Sequence, residues 1–180
     1  MAGTRWWSKN RGLSATDYAS WSRALAAQPG RQVRILAWAS MPTGVAIASP
    51  SVLSYPVEAD DAPWVHLGWH EIERGGWDAE SSRLGWVRYG GERGQIELVQ
   101  PGRLPEVFRE RVAASIVLEK SVPILGARQV LIVARRDLAE ADRPLSWQAT
   151  LGRGLSWQGE GVRQAVDDAI AQVRTEYDMG

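Results

Sequence analysis

Residues Trp64 to Tyr89 read WVHLGWHEIERGGWDAESSRLGWVRY, and this stretch decides the fold. It holds four of the ten tryptophans and both histidines of a 180-residue chain. From Trp69 onward, Trp69, Glu71, Glu73 and Gly75 fall on one side of an extended chain. His70, Ile72 and Arg74 fall on the other. Gly75-Gly76 interrupts this alternation, which predicts a β-bulge there. Asp78 to Ser82 is a polar connection of hairpin type, and Arg83 to Tyr89 alternates again. Tryptophan covers a large area of a pleated, half-buried surface, so all four are expected to pack in the core and across strands. Where this hairpin is partly exposed, Trp64, Trp69, His70 and Trp77 are candidates for an interaction surface.

Upstream, Ile35 to Val57 runs 23 residues without a charge. That length would span a bilayer. Pro42, Pro50, Pro56 and Gly44 cut it into pieces, however, and two or three short buried strands explain it better. We expect strands at Val33–Ser40, Val45–Ala48 and Ser51–Val57, with Met41-Pro42-Thr43-Gly44 as a turn. Ser14 and Asp17 have the spacing of a capping box, and Tyr18, Trp21 and Leu25 share one helical face. A short helix over about 15–27 follows. Residues 1–13 read as a mobile tail, with Arg5, Lys9 and Arg11 around Trp6-Trp7. The tail is a second candidate contact surface, through Trp6, Trp7, Arg5 and Arg11. On an acidic membrane its three cations would contribute at most about 3 kcal/mol.

Downstream, Gln95 to Gln100 reads as a strand. At Pro101-Gly102 the period changes: Leu104, Val107, Phe108, Val112 and Ile116 keep helical spacing, and Pro105 suits a first turn. This predicts an amphipathic helix over about 103–116. Gln129–Arg135 and Leu145–Leu151 read as strands, with an acidic loop at Asp137–Pro144 between them. A final helix carries the stripe Val162, Val166, Ala169, Val173 and Tyr177.

Six or seven short strands followed by one amphipathic helix resemble the pleckstrin-homology-like fold, in its bacterial and GRAM-like forms. The residues that carry the likeness are Pro29-Gly30 and Val33 opening the first strand, Thr43 to Tyr55, Gly68-Trp69-His70-Glu71-Ile72, and the helix after Pro101-Gly102. The whole chain also resembles a set of uncharacterised proteins from high-GC actinobacteria. The likeness implies an α+β protein: a partly open antiparallel barrel at 29–118 closed by the amphipathic helix. A tail and short helix at 1–28 would precede it, and a β-β-α extension at 119–180 would pack on it. Anionic lipid binding through basic residues of the first strand loop is common in such domains. Here that loop is Met41–Gly44, without Lys or Arg, which argues against a headgroup site.

Chemistry is constrained further by composition. Cysteine is absent, so disulfides, thiol nucleophiles and cysteine-ligated zinc are excluded. Basic and acidic residues number 21 each, so no net field points to nucleic acid. His66 and His70 are four apart, a metal-ligand spacing on a helix, but on a strand such positions lie about 13 Å apart, too far for one ion. No serine sits in G-x-S-x-G, and Gly90-Gly91-Glu92-Arg93-Gly94 lacks the lysine of a phosphate loop. The clusters Glu58–Asp61 and Glu140–Asp142 read as solvated loops. Residues 1–30 hold no apolar leader core. The expectation is a soluble, cytoplasmic, non-enzymatic interaction module that uses no cofactor or metal and binds an unknown protein. The alternatives are a membrane-surface adaptor acting through the tail and an enzyme whose site is not legible.

Overall fold

The computed structural model describes residues 12–57, 63–140 and 142–179. The protein is α+β, with three antiparallel sheets and three helices among these residues. It divides into two compact units at Ser115/Ile116, and the later segment Asp137–Asp142 groups with the first unit. No helix among the described residues is long and apolar enough to cross a membrane.

In the first unit, helix α1 (Ala15–Ala26) begins at Ser14, whose Oγ accepts the Asp17 amide at 3.0 Å. Ser14 in turn donates to the Asp17 carboxylate at 2.6 Å, the local arrangement expected from the spacing. Strands β1 (Ala37–Ser40), β2 (Val45–Ala48), β3 (Val52–Pro56) and β4 (Trp64–Gly68) form a four-stranded meander. Every residue of β2 is buried, because both faces of this sheet are covered. Val45, Ile47 and Val52 pack with Trp21 and Leu25 of α1 and with Leu13 and Ile35. Ala37, Ala39, Ala46, Ala48 and Leu53 pack on the opposite side, in the central core. Burial on both faces accounts for the uncharged run Ile35–Val57. Leu13 is also core rather than tail. Residues 33–36 precede the first strand instead of belonging to it, although the Leu36 amide already donates to the Ala48 carbonyl at 2.8 Å.

Trp64–Tyr89 is not one hairpin. The chain leaves β4 at Gly68, makes a 3-10 turn over Trp69–Glu71, and enters a different sheet. That sheet is β5 (Ile72–Asp78), β6 (Arg83–Arg88) and β7 (Arg93–Glu97). The turn has a local cause: Glu71 Oε1 accepts the Gly68 amide at 2.9 Å, closing the backbone on itself. The bulge lies between Ile72 and Arg74, while Gly75 and Gly76 pair regularly with Trp86 and Gly85. The inner glycines are required by close approach. A Cβ at Gly75 would meet the Gly85 carbonyl at 2.6 Å and Phe108 Cζ at 2.8 Å, and one at Gly94 would meet Trp86 ring atoms at 2.4–2.6 Å.

Helix α2 (Leu104–Ala114) then drives Leu104, Val107 and Phe108 into the core shared by both sheets. Phe108 meets Trp69 edge to face, with centroids 5.9 Å apart. An isolated antiparallel bridge joins Ser40, at the end of β1, to Gln100, beyond β7.

The second unit has three strands, one more than the β-β-α reading allows: β8 (Ile116–Ile124), β9 (Arg128–Arg135) and β10 (Ser146–Leu151). Ile116, expected on the helix, opens β8. Helix α3 (Val162–Asp178) lays Val162, Val166, Ala169 and Val173 on Val130 and Ile132 of this sheet. Tyr177 is 41% exposed and touches Trp147 edge to face.

Candidate functional site

The groups able to do chemistry converge in the first unit, where β3, β4 and the turn after it meet the loop following α1. Cross-strand pairing sets Ser54 opposite His66. Their side chains hydrogen-bond, Oγ to Nδ1, at 2.8 Å, with Ser54 fully buried. Burial holds the His66 pKa below its usual 6.5, and the neighbouring Arg31 guanidinium adds to this. Arg31 donates to the Ser51 carbonyl at 3.4 Å and lies 3.8 Å from Asp137 Oδ1. His70, on the 3-10 turn, places Nδ1 3.6 Å from the same carboxylate oxygen. Asp137 is only 6% exposed, and its Oδ1 also accepts the Ala139 amide at 2.9 Å. The acidic loop Asp137–Pro144 therefore begins with a buried carboxylate facing a guanidinium and an imidazole. No family model, curated protein or solved structure matches the chain. The site rests on its own geometry.

That geometry is half of a nucleophilic unit. Ser54 and His66 are within hydrogen-bond reach, as a serine and its base would be. The acid approaches the other histidine, however, and the serine oxygen is closed off from any substrate carbonyl. No group of three His, Asp or Glu among the described residues could hold a metal ion. Arg31 lies at the centre of the cluster, where its positive charge opposes any added cation. Arg31, Ser54 and Asp137 carried no local signal in the sequence. They meet only through strand pairing and through the return of the Asp137 segment to the first unit.

A second polar group lies beside the Glu71 turn. Arg88 donates to Glu71 at 2.5 Å and to Glu92 at 2.7 Å. Tyr55 packs on Trp86 with centroids 5.4 Å apart. Its hydroxyl pKa is raised, first by burial; Glu71 adds to the rise, while Arg88 opposes it.

Of the residues read as an interaction surface, Trp69 contributes none. It is fully buried, its Nε1 donates to the Ser49 carbonyl at 3.1 Å, and the chain turn swings it inward. Trp77 is half-buried against the central core. Trp64 lies on the α1 side, with Nε1 donating to Ser20 Oγ at 3.0 Å. His70 belongs to the Asp137 cluster. Trp6, Trp7, Arg5 and Arg11 lie outside the described residues.

Proposed function

We propose that the chain is a non-enzymatic binding module for another protein, with residues 29–118 in a pleckstrin-homology-like arrangement. The arrangement is supported by the order of elements: a four-stranded meander, a three-stranded meander, then α2 feeding Leu104, Val107 and Phe108 into the core between them. The Ser40–Gln100 bridge draws the end of β1 to the segment after β7, as in a partly open barrel. The α1 layer over the first sheet is an addition to that plan.

The observation that carries the binding reading is the inward direction of the versatile groups. Ser54 is spent on His66 in a fully buried position, and Asp137 closes on Arg31 and His70. These contacts tie β3, β4 and the Arg31 loop together and offer no open nucleophile. The test is a panel of activated ester, amide, phosphoester and glycoside substrates presented to the full chain, to Ser54→Ala and to His66→Ala. The expected result is that neither substitution changes the background rate. A turnover abolished by both, in variants whose circular dichroism matches wild type, would overturn the reading.

A further inference from the structure

The outward face of the β5–β6–β7 sheet is a grid of three rows, fixed by the strand register. One row is Arg74, Val87 and Arg93. The middle row is Gly76, Gly85 and Gln95. The last row is Asp78, Arg83 and Glu97. The face is open to solvent: Arg74 and Arg93 are exposed, as are Gly76, Asp78 and Glu97.

Its glycines differ from those turned inward. A Cβ at Gly76 would meet nothing within 4 Å, and one at Gly85 would meet only the Gly94 carbonyl at 3.9 Å. Neither has the positive φ that demands glycine. Glycine inside a strand costs roughly 0.5–1 kcal/mol relative to alanine, so two paired glycines weaken the sheet with no internal gain. Such positions suit close approach by something outside the chain.

The charges fit one occupant. Suppose a second copy docks face to face across a two-fold axis that lies in the plane of the interface and runs perpendicular to the strands. Each strand then lies over its own counterpart with the row order reversed. Arg74 faces the second copy's Asp78, and Arg93 faces its Glu97, each twice by symmetry. Gly76 and Gly85 lie over themselves, so the centre is unobstructed. Rotation about an axis parallel to the strands would set Arg74 on Arg93 instead, which like charge disfavours. Within the chain Arg74 reaches Glu73 at 3.5 Å while remaining 63% exposed. Asp78 accepts from Ser81 Oγ at 2.7 Å and from the Glu80 amide at 3.0 Å, with Arg83 beside it in the same row. The second copy's Arg74 would add to these contacts on an exposed carboxylate.

We propose that this face is a self-association surface for a second copy of the chain, joined by reciprocal Arg74–Asp78 and Arg93–Glu97 pairs over a glycine floor. The grid measures roughly 10 Å by 13 Å at the backbone. That is well under the ~800 Å² per partner of a standard interface, so the dimer is weak, with a dissociation constant on the order of 100 µM.

Sedimentation velocity on the full chain, from about 10 µM to about 1 mM, reads this directly. The expected result is a monomer–dimer equilibrium that weakens as salt rises. Arg74→Glu/Arg93→Glu and Asp78→Arg/Glu97→Arg each raise the dissociation constant at least ~10-fold, and an equimolar mixture of the two restores association as a heterodimer. Gly76→Val, which the fold accommodates, also blocks association. A chain that stays monomeric throughout the range overturns the proposal. So does a dimer that survives either charge reversal, or a mixture that fails to associate.

Discussion

Phe108→Ala removes the side chain that joins the central core. Phe108 is 2% exposed, stands edge to face on the fully buried Trp69, and abuts the Cα of Gly75. Deleting a buried phenylalanine ring costs about 3–5 kcal/mol. The Trp69 pair adds ~0.5–1.5 kcal/mol beyond burial. Gly75 has no side chain to fill the space and its strand is held in register with β6, so the upper part of the range is expected. With a urea m-value near ~2 kcal/mol/M, the unfolding midpoint of the first unit falls by about 2 M. Hydrogen exchange by mass spectrometry is the assay of choice, since it reads β5, β6 and α2 separately from β8–β10 and needs no two-state assumption for the whole chain. A midpoint within error of wild type, or unchanged protection of β5 and β6, would refute the assignment of α2 as the closing element of this core.

His66 titrates below 6.5 in the folded protein, so the unfolded chain binds the extra proton first. Its contribution is present above pH 6.5, is lost as pH falls from 6.5 toward the folded pKa, and is constant below it; His66→Gln flattens that segment, and an NMR titration midpoint at or above 6.5 would contradict this. Gly94→Ala is expected to destabilise by about 1–3 kcal/mol, because its Cβ overlaps the buried Trp86 ring, whereas Gly76→Ala is neutral or stabilising by up to ~1 kcal/mol. Thermal melts that rank these two in the reverse order would show that the face assignment is inverted. Leu125 adopts φ +47 at the β8–β9 turn with its side chain 48% exposed, so Leu125→Gly stabilises the chain by about 1 kcal/mol, as measured by denaturant melts.

Helices were legible wherever a cap or a clean stripe announced them. Ser14 and Asp17 located α1, and the stripe from Val162 to Tyr177 located α3 to within a turn. Strands were legible in the uncharged run, where hydrophobicity rather than alternation was the signal. Alternation misled at Trp69–Glu71, because a Glu71–Gly68 hydrogen bond can turn a chain whose side chains still read as a strand. The strand β8 was hidden for another reason. Glu119, Lys120 and Ser121 fill its centre and Pro123 lies near its end, a composition that suits only an edge, which is where β8 lies. The helix stripe therefore reads on through Ile116, although the helix ends at Ala114 with Ser115 as its cap, whose Oγ donates to the Val112 carbonyl at 2.7 Å. The Arg31–Asp137–His70 cluster had no local signature at all, since its members are brought together by a segment that returns to the first unit after two further strands.

The abundance of tryptophan, which composition alone leaves unexplained, acquires a packing reason. The inner face of the first sheet is paved with Ala37, Ala39, Ala46 and Ala48. Interiors are filled to near-crystalline density, so a sheet face of small residues needs large side chains opposite. Trp69, Trp86 and Phe108 supply that volume, with Trp77 at the margin. On the other face the larger Val45, Ile47 and Val52 meet Trp21, flanked by Trp38 and Trp64. Alanine on the inner face of β1 and β2 and the aromatic side chains packed against it are thus one choice, whereas on the outer face tryptophan meets larger β-branched residues. Enlarging an alanine of β2 without trimming its tryptophan should overpack the core. Pairing Ala46→Val with Trp86→Phe should recover part of that loss. Costs that instead added independently would show that the two sites do not share a volume.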